Sequence, residues 1–124
     1  MTKTTRFSAV ARTLFRVLAV IFAAAIVVQV LFAGISIFVD GTRWNVHKAI
    51  GHSFTIALLL MIILAFAGRL PRGMKWLTAG TLVLVMAQGA FAAIGGWAGA
   101  AHPVNALLIF WISLRLAAQA RELD

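Results

Sequence analysis

No cysteine occurs among the 124 residues, and that one absence removes disulfides, thiolate zinc sites, thioether-linked haem and iron–sulfur clusters together. Any metal must be held by histidine or carboxylate. Carboxylates are scarce too: Asp40, Glu122 and Asp124 are the three. None lies inside an apolar run, which argues against a proton-coupled transporter built on a buried acid. Charged residues make up 11% of the chain against 63% hydrophobic, with a mean hydropathy of +1.01. A globule of this size has too little interior to hide that apolar content, so the chain is expected to be an integral membrane protein with the lipid bilayer as its surroundings. The formal net charge of +8 comes from Lys and Arg at the ends of apolar runs. There they set topology; no nucleic acid and no soluble substrate is implied.

Residues 1–16, with Lys3, Arg6, Arg12 and Arg16, read as a basic cytoplasmic N-terminus. The uncharged Val17–Val39 that follows is longer than a secretory h-region and suffices to cross a hydrocarbon core of roughly 30 Å. The connection Asp40–Lys48 has a turn-forming Asp-Gly pair and leads into a second uncharged run ending at Gly68. A short basic loop, Arg69–Lys75, contains Pro71 and Gly73. From Trp76 to Leu114 no charge appears; as one helix that run would measure about 58 Å, so it must fold back. Gly95, Gly96 and Gly99 suit the reversal, and Pro103 suits the first turn of a new helix, where a missing N–H goes unpaired anyway. The expectation is an all-α, integral membrane four-helix bundle in one domain over residues 17–121. Its spans are near 17–39, 47–68, 76–96 and 102–120, and Arg115 snorkels to the nearby interface.

Basic residues crowd the N-terminus, the second loop and the C-terminal tail, which predicts cytoplasmic N- and C-termini in a bacterial inner membrane. His47, His52 and His102 then share the outer end. His47 and His102 lie about 30 Å of helix away from Arg69 and Arg121 respectively. Aligning the two halves reveals a repeat: Gln29 and Gln88 in the first helix of each, then His47-x-x-x-Gly51 and His102-x-x-x-Ala106 opening the second. Residues four apart share a helix face, so Gly51 and Ala106 leave room beside each imidazole for something flat. Two tandem helical hairpins would set His47 and His102 opposite one another. That is the requirement of a bis-histidine b-type haem, iron held between imidazoles on opposing helices. Arg43 and Lys48 stand ready for the propionates.

These residues carry a resemblance. His47-Lys48-x-x-Gly51, Gln88 with Gly89, and His102-x-x-x-Ala106 are similar to the motifs of one four-helix half of heme A synthase, over roughly residues 20–118. In that family each half pairs a histidine on its second helix with one on its fourth, so the resemblance implies haem ligation by His47 and His102. The chain has one such half instead of two. No carboxylate in a span corresponds to the family's acidic residue near the second-helix histidine, since Asp40 sits in a loop. The resemblance therefore implies haem binding without oxidation of a haem methyl group. The chain also resembles a group of small bacterial four-span membrane proteins.

Competing readings accompany each residue. His47 and His102 are otherwise interfacial histidines that cap helix ends or bond loop backbone. His52, five residues on and about 140° around the helix, is either a replacement ligand for His47 or an interhelical hydrogen-bonder. Gln29 and Gln88 read as glue between helices; Gly89, Ala92, Ala93 and Gly96 read as a close-packing stripe. Trp44 and Trp97 fit an outer aromatic belt and Trp76 an inner one. Asn105 is expected first as a helix cap and second as an orienter of His102. The favoured function is a small membrane haem protein, an electron-transfer or haem-handling module with a redox partner and no independent catalytic activity. The alternative is a cofactor-free membrane subunit that assembles with a larger complex. A channel or transporter ranks below both, for want of an intramembrane charge.

Overall fold

In the computed structural model, which describes residues 3–123, four long helices follow one another. They are α1 (Lys3–Phe38), α2 (Trp44–Ala67), α3 (Arg72–Ile94) and α4 (Gly96–Arg121). Met1, Thr2 and Asp124 lie outside the described residues. All four helices are long and apolar enough to cross a membrane. The protein is a multi-pass, all-α four-helix bundle made of two hairpins. Each helix packs along two neighbours, α1 and α3 each against α2 and α4, while the backbones of the diagonal pairs stay apart among the described residues.

One spacing explains the packing. Phe15, Ala19, Phe22 and Ile26 on α1 are buried, as are Phe54, Leu58, Met61 and Ala65 on α2, and Met74, Thr78, Thr81 and Val85 on α3. Each set steps by four, three and four residues, and α4 continues it with Asn105, Ile109, Ile112, Leu116 and Ala120. A heptad-like stripe of this kind keeps one seam per helix turned inward and favours shallow, left-handed crossings. Thr78 and Thr81 satisfy their hydroxyls on the carbonyls of Met74 and Leu77, at 2.8 and 2.7 Å, so neither costs an unpaired polar group. The opposite faces carry Ile56, Ile63, Val83 and Leu107, all exposed, as lipid-facing surface should be.

The connections differ in chemistry. After α1, the Asp40 carboxylate accepts from the Thr42 amide at 2.9 Å and its hydroxyl at 2.7 Å, and starts a short 3-10 turn over Gly41–Arg43. These bonds, with Arg43 3.1 Å away, hold the Asp40 carboxyl below its ordinary pKa. After α2, Arg69 takes a left-handed conformation at φ 54° and Leu70 N–H bonds back to Ala65 at 2.9 Å, a Schellman-type stop with Leu70 tucked into the core. The third reversal is a single residue. Gly95 at φ 68°, ψ −161° and Gly96 at φ 54° turn the chain where a side chain would be strained.

Two expectations are corrected here. Helix α4 starts at Gly96, so Pro103 lies inside it rather than in its first turn. The two-glycine reversal needs no proline to start the helix. Nor does the small-residue stripe pack within the bundle: Gly89, Ala92, Ala93 and Gly96 are all exposed. At the opposite end of the molecule, Arg16 on α1 donates through Nε to the Ala120 carbonyl at 2.9 Å and through Nη2 to that of Leu123, capping α4 from a neighbouring helix.

Candidate functional site

The inward stripe continues beyond the core into polar residues. Three residues past Ile26 comes Gln29; seven before Phe54 comes His47; three past Val85 comes Gln88; three before Asn105 comes His102. Heptad phase alone therefore aims all four into the bundle. It also separates the two α2 histidines, because His52 falls off the stripe and is exposed on the outer face.

Within each hairpin the Gln and His clasp one another. Gln29 donates from Nε2 to the His47 carbonyl at 2.7 Å, and His47 Nδ1 lies 3.0 Å from the Gln29 carbonyl. In the second hairpin Gln88 Nε2 donates to the His102 carbonyl at 2.9 Å, and His102 Nδ1 lies 3.0 Å from the Gln88 carbonyl. The pairs are 18 and 14 residues apart in sequence. The shortfall is the shorter reversal, Gly95 alone in place of Val39–Arg43. A backbone carbonyl only accepts, so in both histidines Nδ1 carries a proton, and in the neutral ring that leaves the lone pair on Nε2. This is the tautomer that a metal-ligating imidazole needs, with its second nitrogen anchored.

The two rings come together across the diagonal between α2 and α4. Their centroids are 6.3 Å apart and their planes meet at 45°. Two imidazoles bound linearly to one metal at roughly 2.0 Å per bond would have centroids roughly 6 Å apart. Among the described residues no cluster of three or more His, Cys, Asp or Glu exists. Two nitrogens alone make a poor zinc site, whereas a tetrapyrrole supplies its own equatorial four. The buried core ends at Ile26, Phe54, Val85 and Asn105; beyond these, toward the histidine end, Ser36 is the one buried residue among those described.

Around this pair the structure sharpens and amends the sequence reading. Gly51 makes room, but for the Gln29 amide: a Cβ there would stand 3.1 Å from Gln29 Nε2. Ala106, its counterpart, is half-buried. Asn105 is not a cap. It lies well inside α4, 8% exposed, and donates through Nδ2 to the Gln88 Oε1 at 2.6 Å and the Leu84 carbonyl at 2.9 Å. The residue in the matching place of the first hairpin is Ile50, and there the buried Gln29 Oε1 has no partner. Arg43 is exposed and paired with Asp40, and Lys48 is exposed. Trp44 stands edge-on to His47 with centroids 5.2 Å apart, a contact beyond its expected place in the aromatic belt. The histidines bond to the helical backbone of a neighbouring span, neither capping an end nor holding a loop.

A family described as one of unknown function, DUF6220, matches the chain over residues 29–94. That stretch begins at Gln29, includes His47 and Gln88, and stops before His102. No curated protein and no solved structure matches the chain.

Proposed function

The chain belongs to the DUF6220 family, which brings no activity with it, and from the site itself we propose a small membrane b-type haem protein that carries electrons, with His47 and His102 as axial ligands. The observation that carries this reading is the pair of neighbouring imidazoles, ring centroids 6.3 Å apart, each anchored through Nδ1 by the other helix of its own hairpin. The resemblance of the same residues to one half of heme A synthase agrees with it.

Haem bound here supplies a one-electron couple. The protein's part is to hold both Nε2 lone pairs at fixed depth, to keep the rings from turning, and to keep water from the iron's two faces. Anchoring each Nδ1–H on a carbonyl makes the imidazole a better donor and removes the option of rotating away. Two strong protein ligands leave no open position, and no carboxylate in the spans is placed to manage protons. Electron transfer needs neither, whereas oxygen activation needs both. The basic residues at the termini end favour cytoplasmic termini, so the haem lies toward the outer leaflet of a cell membrane, near Arg43 and Lys48 for its propionates and near a redox partner on that side. The chain has no independent catalytic activity in this reading.

The alternative, a cofactor-free subunit of a larger membrane complex, draws on the exposed small residues Gly89, Ala92 and Ala93, against which a partner helix can approach closely. Substitution separates the two. With haem bound, His47→Ala and His102→Ala each abolish the low-spin spectrum, His52→Ala leaves it intact, and carbon monoxide binds the reduced protein poorly. Retention of the spectrum in both ligand variants would sink the proposal. Rapid stoichiometric binding of carbon monoxide would mean that one axial position is open, and would favour an enzyme.

A further inference from the structure

At the end of the bundle opposite the histidines, a groove of about 530 Å³ opens between the start of α3 and the last turns of α4. Apolar Met74 and Leu77 line its α3 side, and Trp111, Arg115, Gln119 and Glu122 follow one another along its α4 side toward the end of the bundle. Arg115 is exposed on a membrane-facing helix, and its guanidinium rests over the Trp111 ring, 5.1 Å from the centroid. It thus rests on the residue one turn earlier in α4. Among the described residues the one ion pair is Arg43 with Asp40, so Arg115 has no carboxylate to neutralise it. A guanidinium held on an apolar, membrane-facing surface calls for an anion.

The order of chemistry along the groove is informative. Along its α4 side, from the middle of the bundle outward, it runs apolar, cation, neutral amide, carboxylate, over the roughly 16 Å of helix between Trp111 and Glu122. A phospholipid in the same leaflet runs acyl chain, phosphate, and then, where the headgroup is an amino alcohol, ammonium. We infer that this groove is a binding site for one zwitterionic phospholipid with a primary ammonium: phosphate on Arg115, ammonium on Glu122, and an acyl chain against Leu77 and Trp111. The charge pattern selects among lipids. An anionic headgroup with a polyol meets the Glu122 carboxylate with no cation to offer it. A quaternary ammonium has no N–H to donate to it. The site is at the far end from the histidines and does not depend on haem.

Native mass spectrometry on the full chain tests this. The protein is released from detergent containing equal amounts of phosphatidylethanolamine, phosphatidylglycerol and phosphatidylcholine. One phosphatidylethanolamine should be retained in preference to each of the others by roughly fivefold, the scale of one exposed charge pair. Glu122→Gln should erase that preference while total lipid retention persists. Arg115→Gln should lose retention of all three, and Arg115→Lys should restore part of it. Circular dichroism on each variant distinguishes lost binding from lost folding, since both side chains are exposed and their replacement leaves the core untouched. Equal or stronger retention of phosphatidylglycerol by the unaltered chain would overturn the assignment, as would a Glu122→Gln protein that keeps the preference.

Discussion

The two clasps look alike but should not be worth the same, and replacing each glutamine by leucine measures the difference. Gln29→Leu removes one interhelical bond, that to the His47 carbonyl. Such bonds contribute about 0.6 kcal/mol on average inside membrane proteins. The same change also removes the buried Oε1 that no donor reaches, a group whose desolvation opposes folding. The two effects nearly cancel, for a net loss of about 0–0.5 kcal/mol. Gln88→Leu removes two bonds, to the His102 carbonyl and from Asn105. It also strands one N–H of the Asn105 amide, which is 8% exposed and keeps only the Leu84 carbonyl. Two average bonds and one unsatisfied donor come to about 2–4 kcal/mol. Equilibrium unfolding of cofactor-free protein in mixed micelles of rising sodium dodecyl sulfate, followed by tryptophan fluorescence, resolves that gap. The double variant Gln88→Leu with Asn105→Leu should cost less than the sum of the singles, because the stranded amide is gone. A Gln29→Leu loss equal to or larger than that of Gln88→Leu would refute the hydrogen-bond assignments on which the asymmetry rests.

Other expectations follow from single positions. Gly95→Ala forces a side chain into φ 68°, ψ −161°, and should destabilise the second hairpin by about 1–3 kcal/mol in the same unfolding assay; a neutral result would mean the reversal lies elsewhere. The Asp40 carboxyl has a pKa lowered in the folded state, chiefly by Thr42. Its hold on the first connection is therefore present above the ordinary aspartate value near pH 4 and is lost as pH falls through the depressed folded value. Protection of the Thr42 amide from hydrogen exchange should drop across that range and be absent at all pH values in Asp40→Ala. Reporter fusions in the Arg69–Lys75 loop should report the cytoplasm and fusions near Gly99 the outside; the reverse pattern would place the histidines in the inner leaflet.

Hydropathy and the skew of basic residues made the four spans and the two hairpins legible, because a bilayer leaves few options for apolar runs of that length. The repeat made His47 and His102 legible as a pair. The clasp was not, since it depends on how far one helix is staggered along its neighbour, and no local signal carries that. Asn105 was misread for a related reason. Its position just after His-Pro suggests a helix start, but the helix had already begun at the Gly95–Gly96 reversal. Which of His47 and His52 faces inward was legible from residues alone: His47 is in register with Phe54, Met61 and the rest of the buried stripe, and His52 is not. Gly51 shows a subtler gap. A small residue four places after a histidine leaves room, but the sequence could not say that the neighbouring glutamine takes it.

The central claim rests on two imidazoles whose ring centroids are 6.3 Å apart, and it is most directly met by the absorption spectrum of protein purified in mild detergent from cells replete with haem. The account predicts one haem per chain. Its ferric form should be low-spin, and on reduction it should give the sharp, split visible bands of a bis-imidazole b-type centre. Colourless protein, folded by circular dichroism and still unable to take up added haem, would contradict it.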